Sequence, residues 1–329
     1  MATLGARDSL RLDLARFSFS VNRSRRIVTT GLGARERAVS IFSWNGELRQ
    51  TIAGPSDSVM FSAPRFVFVG DEDTIIVIDR NRQSVDVLGA NGVGRTLRLP
   101  FGPTAAAAAS GRVVVAGQSL TRSSVNQPLY AVSLMTGRVE GFGPPDSTFR
   151  ADRPALSQRL LAVALGNRVW TSRANQYRLD LHEPTGRVRL SLTRIADWFE
   201  PWDENHLPVD SPAKPVVAAI QADRLGLIWV FVMRSRQPFR PLRRPESDSA
   251  EALPSLEAVL QQFDTVVEVI DPSRSAVLAS TLLSGYWVAS ATPGYVARFG
   301  AANAGSERVE IMRIRLVGSS AGRSITKPQ

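Results

Sequence analysis

Apolar residues in this chain come in short β-branched runs or alternate with polar ones, and turn-forming residues separate the runs. Phe66 to Pro100 shows the pattern in full: FVFVGDEDTIIVIDRNRQSVDVLGANGVGRTLRLP. Thr74–Asp79 is too short and too β-branched for a surface helix, and Ser84–Leu88 alternates with period two. Gly-containing turns join the last two runs, where a positive φ is needed. One segment, SLEAVLQQ, has helical character, with Ser255 as its capping residue. The pattern predicts an all-β protein.

The pattern also repeats. It occurs earlier as FSFSVNRSRRIVTTGLGARERAVSIFSWNGELRQTIAG, and later as AAAASGRVVVAGQSLTRSSVNQPLYAVSLMTGRVEGF and LLAVALGNRVWTSRANQYRLDLHEPTGRVRLSLT. The turn glycines Gly46, Gly92, Gly137 and Gly186 are spaced by 46, 45 and 49 residues. Four strands per period of that size describe a β-propeller blade. A fifth unit, VVAAIQADRLGLIWVFVMRS with DTVVEVIDPSRSAVLASTLL, is interrupted by an insertion at about 236–261. The sixth, YWVASATPGYVARFGAANAGSERVEIMRIRLVG, stops after three strands. Ser9–Ala15 resembles the outer strands of other units, and its expected place is beside Val309–Leu316, completing the last blade. Closing the ring in this way hides sheet edges. The reading is therefore a six-bladed β-propeller with four-stranded antiparallel blades, one domain over residues 8–318, and a flexible tail at 319–329.

The segments RIVTTG, AVSIFSWNGEL, DTIIVIDRNRQSVDVLGANG, LGLIWVF and DTVVEVIDPSRSAVLAS resemble the six-bladed propeller superfamily of NHL-repeat and TolB-like proteins. They are most similar to bacterial members of uncharacterised role. The resemblance implies the fold over essentially the whole chain, and it implies an extracytoplasmic, periplasmic or secreted, location. It implies no particular chemistry, because propellers host many functions.

Composition narrows the chemistry. The chain has no cysteine, which removes disulfides, thiolate nucleophiles and Cys-ligated metals. No apolar run is long enough to span a membrane, and the first twenty residues do not read as a secretory signal. The formal net charge is +10, which invites anionic partners. Lysine occurs only at Lys214 and Lys327, so the charge is almost all arginine. That is the bias of a GC-rich coding sequence, and without a dense basic run it argues against nucleic acid as a partner.

Histidine occurs only at His182 and His206. His182 ends a third strand and reads as a solvated turn residue. His206 lies in DWFEPWDENHLP with Trp198, Trp202 and Asp203. That stretch reads as an inter-blade connection whose aromatics fold over the disc, or else as a ligand rim. In a propeller, loops between second and third strands share a face with the connections between blades. The insertion, with Arg236 and Arg240, is thus expected beside Asp197–Lys214. Its arginines are expected to pair with Asp197, Glu200, Asp203 and Glu204 in a cap. Arg35, Arg37, Arg80, Arg82, Arg122 and Arg173 fall in equivalent loops and could form a positive ring.

These features favour a non-enzymatic binding or scaffold propeller with its contact surface around blades four and five. Candidate contacts are Trp198, Trp202, Asp203, His206, Arg236 and Arg240, and the partner is an unknown protein, peptide or small anionic ligand. No catalytic residue, metal ligand or cofactor is assigned. The rival is a metal-dependent hydrolase or lyase of the sugar-lactonase type. Its candidate ligands Asp71, Asp73, Asn167 and Asp223 fall in turns expected on the opposite face from the contact surface.

Overall fold

The computed structural model describes all residues except 5–10, 13–15, 34–36, 54–59, 71–72, 90–93, 110, 118–126, 147–158, 204–211, 240–260, 302–306, 320–321 and 327–329. Six four-stranded antiparallel sheets form a ring of blades. From channel to rim, blade one is Ser18–Val21, Ile27–Thr30, Val39–Phe42 and Leu48–Ile52. Blade two is Pro64–Val69, Ile75–Asp79, Ser84–Leu88 and Gly94–Arg98. Blade three is Ala105–Ala109, Arg112–Ala116, Leu129–Ser133 and Val139–Phe142. Blade four is Arg159–Ala164, Arg168–Arg173, Gln176–His182 and Val188–Thr193.

Blade five has long strands, Val216–Ala222, Ile228–Ser235, Phe263–Asp271 and Ala276–Leu283. The insertion falls between its second and third strands, as the repeat predicts. Blade six is Trp287–Ala289, Tyr295–Ala301 and Glu307–Arg313. Its fourth strand is Ala2–Leu4, with Ala2 opposite Ile311 and Leu4 opposite Val309. The N-terminal strand does close the ring, but Ser9–Ala15 is not that strand. Arg11–Leu12 instead pairs with Leu32–Gly33 in a separate two-stranded patch. Within the segment expected as a tail, Gly322–Thr326 pairs with Arg315–Ser319.

The burial pattern explains why second and third strands read as continuous apolar runs. Each blade is covered on both faces by its neighbours, so Ile75–Asp79 is buried at every residue, whereas the outer Val188–Thr193 alternates. Buried side chains form six clusters, one in each wedge between adjacent blades. Phe19, Val21, Ile27 and Phe42 of blade one meet Leu4, Ala297, Val309 and Ile311 of blade six in the closing wedge. Three of the expected turn glycines, Gly46, Gly137 and Gly186, have positive φ, and Gly92 lies outside the described residues.

Candidate functional site

The connection from blade four to blade five leaves the outer strand at Arg194 and doubles back at once. An isolated bridge joins Ala196 to Phe199. Phe199 is buried and Trp198 half-buried against Tyr177, with ring centroids 5.4 and 6.2 Å from the tyrosine. Trp202 donates its indole N–H to the Pro215 carbonyl at 2.7 Å, and its own carbonyl accepts from the Asn175 amide at 2.6 Å. The aromatics therefore fold back over the disc and fasten the connection to the turn at Ala174–Asn175. Beneath them Tyr177 donates its hydroxyl proton to Glu268 at 2.8 Å, and Arg194 contacts the same carboxylate at 3.2 Å. Burial and the adjacent Glu268 charge push the Tyr177 phenol far above its ordinary pKa, so it stays protonated.

The expected cross-pairing of loop charges is not what the described residues show. Arg236 pairs with Asp264 of the third strand of blade five at 3.2 Å, and Glu200 pairs with Lys214 at 2.7 Å within its own connection. These two charges take partners from their own blade or connection rather than across the face, and Glu204, Arg243 and Arg244 lie outside the described residues. Lys214 holds the Glu200 carboxyl below its usual pKa. Asp203 is exposed, while His206 and Arg240 lie outside the described residues. Two of the expected ring of loop arginines have carboxylate contacts, while Arg35 and Arg122 lie outside the described residues. Arg173 contacts buried Asp146 at 3.0 Å, and Arg82 stands 4.0 Å from buried Asp86.

His182 differs from its expectation as a solvated residue. It is buried between blades three and four, with Nε2 3.2 Å from the Thr171 hydroxyl and Nδ1 3.4 Å from the Gly186 carbonyl. Burial lowers its pKa below the ordinary 6.5. Gly143, next to the outer strand of blade three, comes close enough that a Cβ there would lie 3.5 Å from the imidazole Nδ1, an approach that no local pattern around His182 reveals. Two of the rival ligand candidates act in turns. Asp223 accepts from the amides of Leu225 and Leu227 and from the Trp229 indole. Asp73 accepts from Asn22 and pairs with Arg26.

The central channel holds a cavity of about 450 Å³, walled by the innermost strands. Alanines dominate its lining, among them Ala105 to Ala108 of blade three and Ala218 and Ala222 of blade five. Among the described residues that line it there is no Asp, Glu or His, and its ionisable side chains are Arg65 and Tyr286. No group of three or more His, Asp or Glu residues suited to a metal occurs among the described residues. One signal for this cavity was present in the sequence: five consecutive alanines, Ala105–Ala109, form a whole strand, although alanine is a poor strand former.

No helix among the described residues is long and apolar enough to cross a membrane. No family model matches the chain, and no curated protein does. Solved structures do. A member of the DUF4221 family from Bacteroides vulgatus superposes with a TM-score of 0.60 at 10% identity, covering 94% of this chain and 97% of that one. A candidate exported protein of Bacteroides fragilis gives 0.57 at 10% identity, covering 91% and 82%. A streptogramin B lyase gives 0.51 at 10% identity, covering 94% and 96%. At such identities the likeness is one of fold, and these neighbours share the six-bladed propeller.

Proposed function

We propose that this chain is a non-enzymatic binding propeller. It would engage a protein, peptide or small anionic ligand through the loop face around blades four and five. The composition of the channel wall carries the reading. Acid–base or metal-assisted chemistry at neutral pH draws mostly on a carboxylate, an imidazole or a ligand cluster aimed at one point; the described lining offers none of these, and burial holds its Tyr286 phenol protonated. The loop face supplies what a contact surface needs. The Arg194–Pro215 connection is pinned by Trp202 and Asn175 and leaves Ile195 exposed. The blade-five strands that flank the insertion, Ile228–Ser235 and Phe263–Asp271, are joined by a longer segment than their counterparts in other blades, and rigid scaffolds carry function on such loops.

Replacing residues 240–260 with a short Gly-Ser linker tests this. The ring should melt as the parent does, while cross-linking in the native host should no longer recover the parent's partner. Recovery of the same partner by the shortened chain would refute the loop-face assignment. Metal analysis after dialysis addresses the hydrolase or lyase rival, because a stoichiometric divalent cation would overturn the non-enzymatic reading. An extracytoplasmic location belongs to the same proposal. It is supported by the family resemblance and by the shared fold of the candidate exported protein, and host fractionation tests it.

A further inference from the structure

The channel cavity has two ends of different character. One is crossed by the turn at 290–294 of blade six. There the Ala291 amide and Ser290 hydroxyl donate to the Phe19 carbonyl at 2.9 and 3.1 Å, and Gln221 of blade five donates to the Ser290 carbonyl at 2.7 Å. Ala291 packs on the apolar cluster of blades two and three, on the far side of the ring. The turn thus spans the channel and is held from both sides.

Arg65 lies toward the other end, at the start of the innermost strand of blade two. Its position is set by a bulge. Pro64 pairs with Asp79 and Phe66 with Ile78, which leaves Arg65 as the extra residue without a cross-strand partner. Bulges of this kind re-aim a side chain, and here Arg65 lines the cavity. A second bulge, between Val217 and Ala219 of blade five, brings Ala218 to the same wall.

Among the described residues the Arg65 guanidinium has no carboxylate partner, and its contact is with the face of Phe66 at 5.8 Å. Burial, reinforced by Arg80, lowers its pKa. An unmatched, partly buried cation is costly unless an anion joins it. In this chain Arg159, Arg194, Arg236 and Arg298 all have carboxylate partners. Arg65 has none; Arg112 and Arg234 share that state, but among the described residues Arg65 is the arginine that lines the channel cavity.

We infer that the channel is a ligand site for a compact apolar monocarboxylate, with Arg65 gripping the carboxylate and the alanine-lined wall receiving the apolar body. A planar guanidinium matches a carboxylate with two parallel N–H···O bonds. The cavity volume lies in the range of small-molecule sites, and the alanines are what leave it vacant of side chains. Arg65 is the one cation among the described lining residues, the exposed Arg80 standing off the wall, which favours a monoanion over a phosphate dianion. The described lining of the site includes no residue of the 194–215 connection or of the insertion, so the loop replacement and the Arg65 substitutions test the two readings separately.

Isothermal titration with butanoate, hexanoate, octanoate and 3-phenylpropanoate tests the inference, with 3-phenylpropanamide and inorganic phosphate as controls. At least one carboxylate should bind one-to-one, at least about tenfold more tightly than the amide or phosphate, which corresponds to about 1.4 kcal/mol. Arg65→Met should reduce that affinity at least about tenfold and Arg65→Lys less. Ala218→Leu should weaken the carboxylate by filling the cavity, with Arg65 intact. Failure of every carboxylate to bind the parent protein overturns the site. So does equal binding of acid and amide, phosphate binding as tight as the acid, or unchanged affinity in a folded Arg65→Met. If Arg65→Met does not fold, the acid–amide comparison on the parent and the Arg65→Lys titration still decide.

Discussion

Replacing Leu4 with alanine isolates the closure of the ring. Leu4 is fully buried against the blade-one residues Phe19 and Ile27 and the blade-six residue Val309. Truncating a buried leucine typically costs 2–5 kcal/mol, and about 3 kcal/mol is expected for a side chain enclosed on both sides but carried on a three-residue strand. Unfolding entropy of about 2.1 cal/mol/K per residue over 329 residues gives about 0.7 kcal/mol/K. The melting midpoint should therefore fall by about 4 °C if the ring unfolds as one unit. Gly46→Ala attacks the same contact from the other side. Gly46 has φ +85°, and a Cβ there would lie 1.9 Å from the Thr3 carbonyl oxygen. The substituted turn must shift or displace the closing strand. Leu4→Ala should then cost less in the Gly46→Ala background than alone, because neighbouring sites are not additive. Scanning calorimetry reads both, with Leu225→Ala, at an 83% exposed position, as a control expected within about 0.5 kcal/mol of the parent. A midpoint for Leu4→Ala within about 1 °C of the parent would refute the claim that Ala2–Leu4 locks the ring.

Tyr177→Phe removes the hydroxyl that Glu268 accepts from, and urea denaturation should show a loss of about 2 kcal/mol, as for hydrogen bonds to charged groups. The folded phenol keeps its proton while the unfolded one ionises above pH 10. The parent therefore loses stability as pH rises past 10, and the variant should lose less; equal alkaline slopes would contradict this. His182 gives the opposite dependence. Its pKa is depressed in the fold, so its contribution is complete above pH 6.5 and is lost as pH falls, when the unfolded imidazole takes up a proton. Urea midpoints of His182→Gln between pH 7 and pH 5 should fall less than those of the parent.

The blades were legible because each is a local object. Regularly spaced turn glycines and β-branched runs such as Ile75–Asp79 report strands that lie side by side in sequence. The closing strand was not, because Leu10, Leu12 and Leu14 in Ser9–Ala15 display a better alternation than three residues can. The choice fell instead to the burial of Ala2 and Leu4 in a wedge made by distant chain. The folding-back of Trp198 and Phe199 was legible from their density in one connection. Arg65 was hidden among forty basic residues, since nothing in PRFVFV marks a bulge. The insertion's position was readable from the stretched repeat, but the pairing of Arg236 depended on Asp264, brought close only by the sheet.

The closing strand also sets a timetable. Thr3 pairs with Glu310, so one side of this sheet waits during synthesis for a partner about 300 residues further along the chain. At about 5–20 residues per second, that interval is about 15–60 s, and bringing such distant segments together costs about 5 kcal/mol in chain entropy. Throughout it, the half-built wedge of blade one displays Phe19, Ile27 and Phe42 with no sixth blade to cover them. Residues 2–4 thus govern the moment of completion, because their pairing with 309–311 is the step that joins the two ends of the ring in one sheet.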